Sequence, residues 1–144
     1  EHHPGPNPGA IWLIVPEAGV IFVGDAVLVN QPPFLKNADI PAWIATLNLL
    51  LSPTYRDHLI VSGRGGIVNP QIIRDQRNYL KDIQKRLLRL QEQRASPETT
   101  ENLIPGLLSH IDFPPIQKEL YAQRLRHSLR QYYTTHFLPA EEDE

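Results

Sequence analysis

The stretch from Ala10 to Val27, AIWLIVPEAGVIFVGDAV, constrains this chain more than any other. Two apolar runs flank Pro16-Glu17-Ala18-Gly19, which has the composition of a hairpin turn. The spacing predicts one strand over residues 10–15 and a second over 20–24. Ile, Val, Phe and Trp dominate both without polar alternation, which predicts burial on both faces. The second strand ends in Gly24-Asp25. A carboxylate at the end of so apolar a strand needs a solvated rim with a partner, or a cation, because burying it unpaired is costly.

The segment 26–38, AVLVNQPPFLKNA, breaks at Pro32-Pro33 and predicts a long loop with Phe34 and Leu35 as apolar tips. Asp39 is placed to cap a following helix, with Pro41 in its first turn. Ile40, Trp43, Ile44, Leu47, Leu50 and Leu51 recur at three and four, which predicts that helix over about 39–51. A third short strand is expected over 58–62, followed at once by Gly63-Arg64-Gly65-Gly66. Asn69-Pro70 then reads as a cap with proline at the first helical position. The helix should run to about residue 94, with Ile73, Leu80, Ile83, Leu87 and Leu90 on one face. Arg74, Arg77, Lys81, Lys85, Arg86 and Arg89 cover the rest, as a solvated basic face. Residues 95–102 read as a polar linker and 103–113 as a short helix. A last helix is expected from Pro114-Pro115 to about 137, with Ile116, Leu120, Leu125, Leu129 and Tyr132 on its apolar side. Three such strands would leave a bare face and an open edge, so the chain reads as half of a sheet system.

With 144 residues the chain is long enough for a real core. Its net charge of -2 steers it toward neither nucleic acid nor a membrane surface. It has no Cys, which excludes disulfides and thiolate metal sites and leaves His and carboxylates as ligands. No apolar run approaches the roughly 20 residues that span a bilayer. The opening EHHPGPNPG lacks the apolar core of a signal peptide, so a cytoplasmic location is expected. Met is absent even at position 1, which predicts a processed or excised piece of a longer protein.

Three features, in order, carry a family resemblance. They are Gly5-Pro6-Asn7-Pro8-Gly9-Ala10 before a strand, Phe22-Val23-Gly24-Asp25 ending the next, and Ile60-Val61-Ser62-Gly63-Arg64-Gly65 after the helix. Over residues 1–94 the chain resembles the C-terminal half of the metallo-β-lactamase fold. That family's signatures there are Gly-His-Thr-Pro-Gly-Ser, Phe-Thr-Gly-Asp and Val-Pro-Gly-His-Gly. The resemblance implies an α/β chain whose residues 1–94 form half of an αββα sandwich; the residues that follow read as an all-helical extension over 95–138 and an acidic disordered tail over 139–144. It also implies a partner, the N-terminal half of the same fold, where the family's His-x-His-x-Asp-His motif would lie.

Carried over by position, Asp25 matches the aspartate that bridges two metal ions. The histidines of the first and last signatures fall on Pro6 and Arg64. Proline cannot ligate a metal, and a guanidinium is always charged with no free lone pair. His3, three residues before Pro6, is the candidate replacement ligand, for zinc, iron or manganese. It reads more readily as a solvated loop histidine, like His2. His58, His110, His127 and His136 are expected at the surface.

The implied activity is metal-dependent hydrolysis of an ester, thioester, amide or phosphodiester. Asp25 would hold the metals, Arg64 would bind or polarise an unidentified small-molecule substrate, and Gln31 to Leu35, with Phe34 touching substrate, would wall the pocket. Two other readings stay open. In one, the metal is lost and the chain is a non-catalytic binding or assembly module, with Asp25 and Arg64 as an ion pair. In the other, less favoured because the chain is not basic overall, the basic helix binds nucleic acid. Self-association, as a homodimer, is expected wherever the open sheet is left uncovered.

Overall fold

Two apolar rows, one on each side of a single sheet, organise the molecule. The computed structural model describes residues 1–139. The sheet has four strands: β1 (Leu13–Val15), β2 (Val20–Gly24), β3 (Leu59–Ser62) and β4 (Gly66–Val68), in that spatial order. β1 and β2 are antiparallel, β2 and β3 parallel, β3 and β4 antiparallel. The fold is therefore mixed α/β. Turn residues close the first hairpin as the sequence predicts, with Pro16–Ala18 in a 3-10 turn and Gly19 left-handed at φ 63°.

The register aligns Ile14, Ile21, Ile60 and Val68 in one row across all four strands. Ile21, Ile60 and Val68 are buried in a core shared with Trp43, Leu47, Ile73 and Leu80. Those partners come from α1 (Ile40–Leu50) and α2 (Pro70–Glu92). Asp39 and Asn69 cap the two helices, accepting from the amides of Ala42 and Ile72. The Trp43 indole N–H donates to the Ala26 carbonyl at 2.9 Å and ties α1 to the end of β2.

The opposite row is Leu13, Phe22, Val61 and Ile67. Leu13 is 62% exposed, Phe22 43% and Ile67 66%. The expected burial on both faces is thus corrected: among the described residues, helices cover one face only. Side chains alternate across a strand, so a strand apolar at every position presents one apolar row to each side whatever covers it.

Several elements differ from expectation, among them the short helix expected over 103–113, which ends at Leu108. β1 starts at Leu13, because the residues before it pair with the N-terminus instead: Trp12 N–H donates to Glu1 O at 2.7 Å and His3 N–H to Ala10 O at 3.0 Å. β4 was not expected. It is too short to show a period, and its Val68 directly precedes the helix cap. Residues 95–102 are no loose linker, since Pro97–Leu103 forms a 3-10 turn with Thr100 buried.

The remaining helices are α3 (Ile104–Leu108) and α4 (Lys118–His136). α4 buries Leu125, Leu129, Tyr132 and Tyr133. Ile116 and Leu120, expected on its apolar side, are exposed, because they precede the turn at which α4 meets the core. α4 grips the loop before α1. The Tyr132 hydroxyl accepts from the Ile40 amide at 2.9 Å and the Ser128 hydroxyl from the Leu35 amide at 3.5 Å. Leu35 is fully buried under this grip, not an exposed tip. The acidic tail lies outside the described residues from 140 onward.

Tyr132→Phe leaves the buried Ile40 amide without its acceptor. The expected loss is about 1–3 kcal/mol in urea denaturation, the usual cost of an unsatisfied buried donor.

Candidate functional site

Asp25 sits where β2 stops. Gly24 takes φ 57°, and the β2–β3 register shifts between Phe22 and Gly24, so the chain turns out of the sheet at Asp25. The β3–β4 turn comes to the same end. Gly63 N–H donates to the Gly24 carbonyl at 2.8 Å. The Ser62 hydroxyl donates to the Val27 carbonyl and accepts from the Arg64 amide. Gly65 lies directly against the Val29 side chain, with no room for a Cβ. The glycines around Arg64 therefore serve close approach of two loops.

That approach brings Arg64 to Asp25, with Nε 3.0 Å from Oδ1. The pair is partly open to solvent, with side chains 52% and 33% exposed. It adds little stability as an exposed ion pair, and its main effect is to aim the guanidinium. Arg64 also lies over the Phe34 ring, 5.1 Å from its centroid. Asp25, Arg64 and Phe34 are thus brought together.

Arg124 was not anticipated. Its guanidinium stacks over the same Phe34 ring at 4.0 Å and lies 5.1 Å from the centroid of Tyr121. One nitrogen, Nη1, donates to Gln31 Oε1 at 2.9 Å and to the Pro32 carbonyl at 2.8 Å. Burial lowers its pKa from the ordinary value, with Arg64 adding like-charge pressure and Asp25 and Tyr121 opposing it. No local signal marks this arginine. It is one of several on α4, and its partner Gln31 lies 93 positions away.

His3 belongs to a different cluster. Its Nε2 is 2.9 Å from a Glu1 carboxylate oxygen, which also accepts from the Tyr55 hydroxyl at 2.8 Å. Bonds from His3 and then Tyr55 hold the Glu1 carboxyl below the usual range. The His3 ring packs against Trp12, centroids 3.9 Å apart. No hydrogen bond or ion pair joins His3 to Asp25 among the described residues. Within those residues no group of three or more His, Cys, Asp and Glu side chains is arranged to hold a metal ion.

His110, His127 and His136 are exposed, as expected, while His58 is half-buried. On α2, Arg77 bonds Asn48 and Arg86 pairs with Asp82 at 3.0 Å, so the basic face is partly tied into the fold. Behind the 26–38 loop lies a cavity of about 450 Å³, lined among others by Gln31, Gln76, Tyr79 and His110. The buried Gln76 amide nitrogen has no hydrogen-bond partner there. No described helix is long and apolar enough to cross a membrane.

No known family model matches this chain. No curated protein matches it either.

The packing of Gly65 on Val29 sets a test of how the site is held. Gly65→Ala is expected to cost about 1–3 kcal/mol through overpacking. Val29→Ala in the same background should recover most of that loss in a thermal melt, and a Gly65→Ala protein as stable as the parent would refute the close-approach role.

Proposed function

We propose that this chain supplies the C-terminal half of a metallo-β-lactamase-like αββα sandwich, and that the completed domain is a hydrolase of an ester, thioester, amide or phosphodiester. One observation carries the first part. The exposed row of Leu13, Phe22, Val61 and Ile67 is as apolar as the buried row behind it. An apolar sheet face of this kind calls for a second sheet packed on it. The N-terminal half of the same fold, in the same chain or another, is the partner we propose. The hydrolase part rests on the resemblance, supported by the position of Asp25 at the rim where such a partner sheet would meet this one.

The residues present do not form a metal site by themselves. Asp25 brings one carboxylate, already bonded by Arg64, and His3 is engaged by Glu1. Zinc, iron or manganese would need donors from the partner half. What this chain contributes at the rim is a carboxylate, an aimed guanidinium and the Phe34 ring. A second reading, a non-catalytic binding or assembly module, is favoured by the Asp25–Arg64 pair itself, since the arginine occupies the carboxylate. Nucleic acid is not the proposed partner.

The two readings part on metal content and turnover. Under the hydrolase reading, the full-length protein reconstituted with zinc, iron or manganese retains metal and hydrolyses a model ester. Asp25→Asn should then lower its turnover by about 10²-fold or more. Retained stability with no bound metal supports the binding module instead.

The bare face generates a separate expectation. Expressed alone, this chain should self-associate in sedimentation velocity, and the triple variant Leu13→Ser, Phe22→Ser, Ile67→Ser should shift it to monomer. A parent chain that sediments as a clean monomer refutes the need for a cover.

A further inference from the structure

We propose that Arg64 and Arg124 together form a receptor for an oxyanion, a phosphoryl or carboxylate group, at the rim beside Phe34. The proposal names the ligand class for the site above and rests on that reading for treating this rim as a ligand site. The two guanidiniums come from the middle and the C-terminal part of the chain and lie over one ring, at 5.1 and 4.0 Å from its centroid. Arg64 acts on Arg124 as a like charge, and two cations over one ring raise the local positive potential unless an anion answers it.

Asp25 answers only part of that charge. It is the one carboxylate bonded to either arginine among the described residues, and it takes only Nε of Arg64. Arg124 spends Nη1 on neutral acceptors, the Gln31 carboxamide and the Pro32 carbonyl. Both Nη groups of Arg64, and Nη2 and Nε of Arg124, have no hydrogen-bond acceptor among the described residues. Two arginines against one carboxylate leave a net positive rim with paired donors in fork geometry, which suits a phosphate or carboxylate better than a neutral group.

The supports are named contacts. Asp25 aims Arg64, the stacked Phe34 ring limits both side chains, and Gln31 with Pro32 fixes Arg124. This arrangement also gives the helical extension a role: α4 delivers Arg124 to a strand end that residues 1–94 build without it.

Isothermal titration of the full-length protein with inorganic phosphate, and separately with acetate, at constant ionic strength in sodium chloride, tests the site. Saturable binding of one or both is expected, and the stronger of the two identifies the group. Arg64→Gln should weaken that binding at least about tenfold, and Arg124→Lys by a similar factor, as loss of charge-assisted bonds implies. Asp25→Asn should tighten it, since the competing carboxylate is gone. A merely structural ion pair would not produce that gain. Lys81→Gln, on the exposed face of α2, should change nothing. Circular dichroism checks that Arg124→Lys folds; if it does not, Arg64→Gln and Asp25→Asn decide. Absence of saturable binding of either anion, unchanged affinity in Arg64→Gln, or no gain in Asp25→Asn overturns the proposal. Anion binding that survives in a protein without turnover refutes the hydrolase reading alone.

Discussion

The row of Ile14, Ile21, Ile60 and Val68 is what everything else depends on. It spans four strands and packs against the apolar faces of α1 and α2. Burying a large aliphatic side chain contributes about 1.5–3 kcal/mol, so this row and its helical partners hold the sheet together. The parallel step from β2 to β3 needs a crossover, and α1 provides it. Once β2 and β3 lie side by side, Gly24 and Gly63 meet at the same end of the sheet, and the loops that follow them must share that rim.

The rim is held largely from outside the sheet. Residues 25–38 leave the sheet with few ladder bonds of their own, and α4 supplies partners to them through Ser128 and Arg124 and to the start of α1 through Tyr132. Burial raises the Tyr132 hydroxyl pKa, so it stays neutral while it accepts from the Ile40 amide. Surface pairs between Arg126 and Glu101 and between Arg130 and Glu98 hold α4 to the preceding 3-10 turn, though exposed pairs of this kind contribute little each. The grip depends more on Leu125, Leu129 and Tyr133, which join the same core as the sheet.

Local signals read well here because local chemistry made them. The Pro16-Glu17-Ala18-Gly19 turn, the Asp39 and Asn69 caps, and the three-four spacing of Trp43, Leu47 and Leu50 each act within a few residues. β4 escaped notice because a strand as short as Gly66–Val68 carries no period. Ile116 and Leu120 misled because an apolar residue at helical spacing is not obliged to be buried. Asp25, Arg64 and Phe34 were expected at one site on the family resemblance, not on any local preference of their own segments. Arg124 was not legible at all, since nothing in its neighbours distinguishes it from Arg126 or Arg130.

The sequence by itself determined most of the elements, the caps of α1 and α2, the apolar character of both sheet rows, and the presence of a carboxylate at a strand end. Each follows from the intrinsic preference of a short segment. Only the tertiary structure decided which row is covered, that Arg64 is the residue Asp25 meets, that His3 turns instead to Glu1 and Trp12, and that α4 brings a second arginine to Phe34. Those outcomes depend on how distant segments pack. Sequence patterns record what a residue can bury or bond, but the partner is selected by which surfaces the fold brings within a few ångströms.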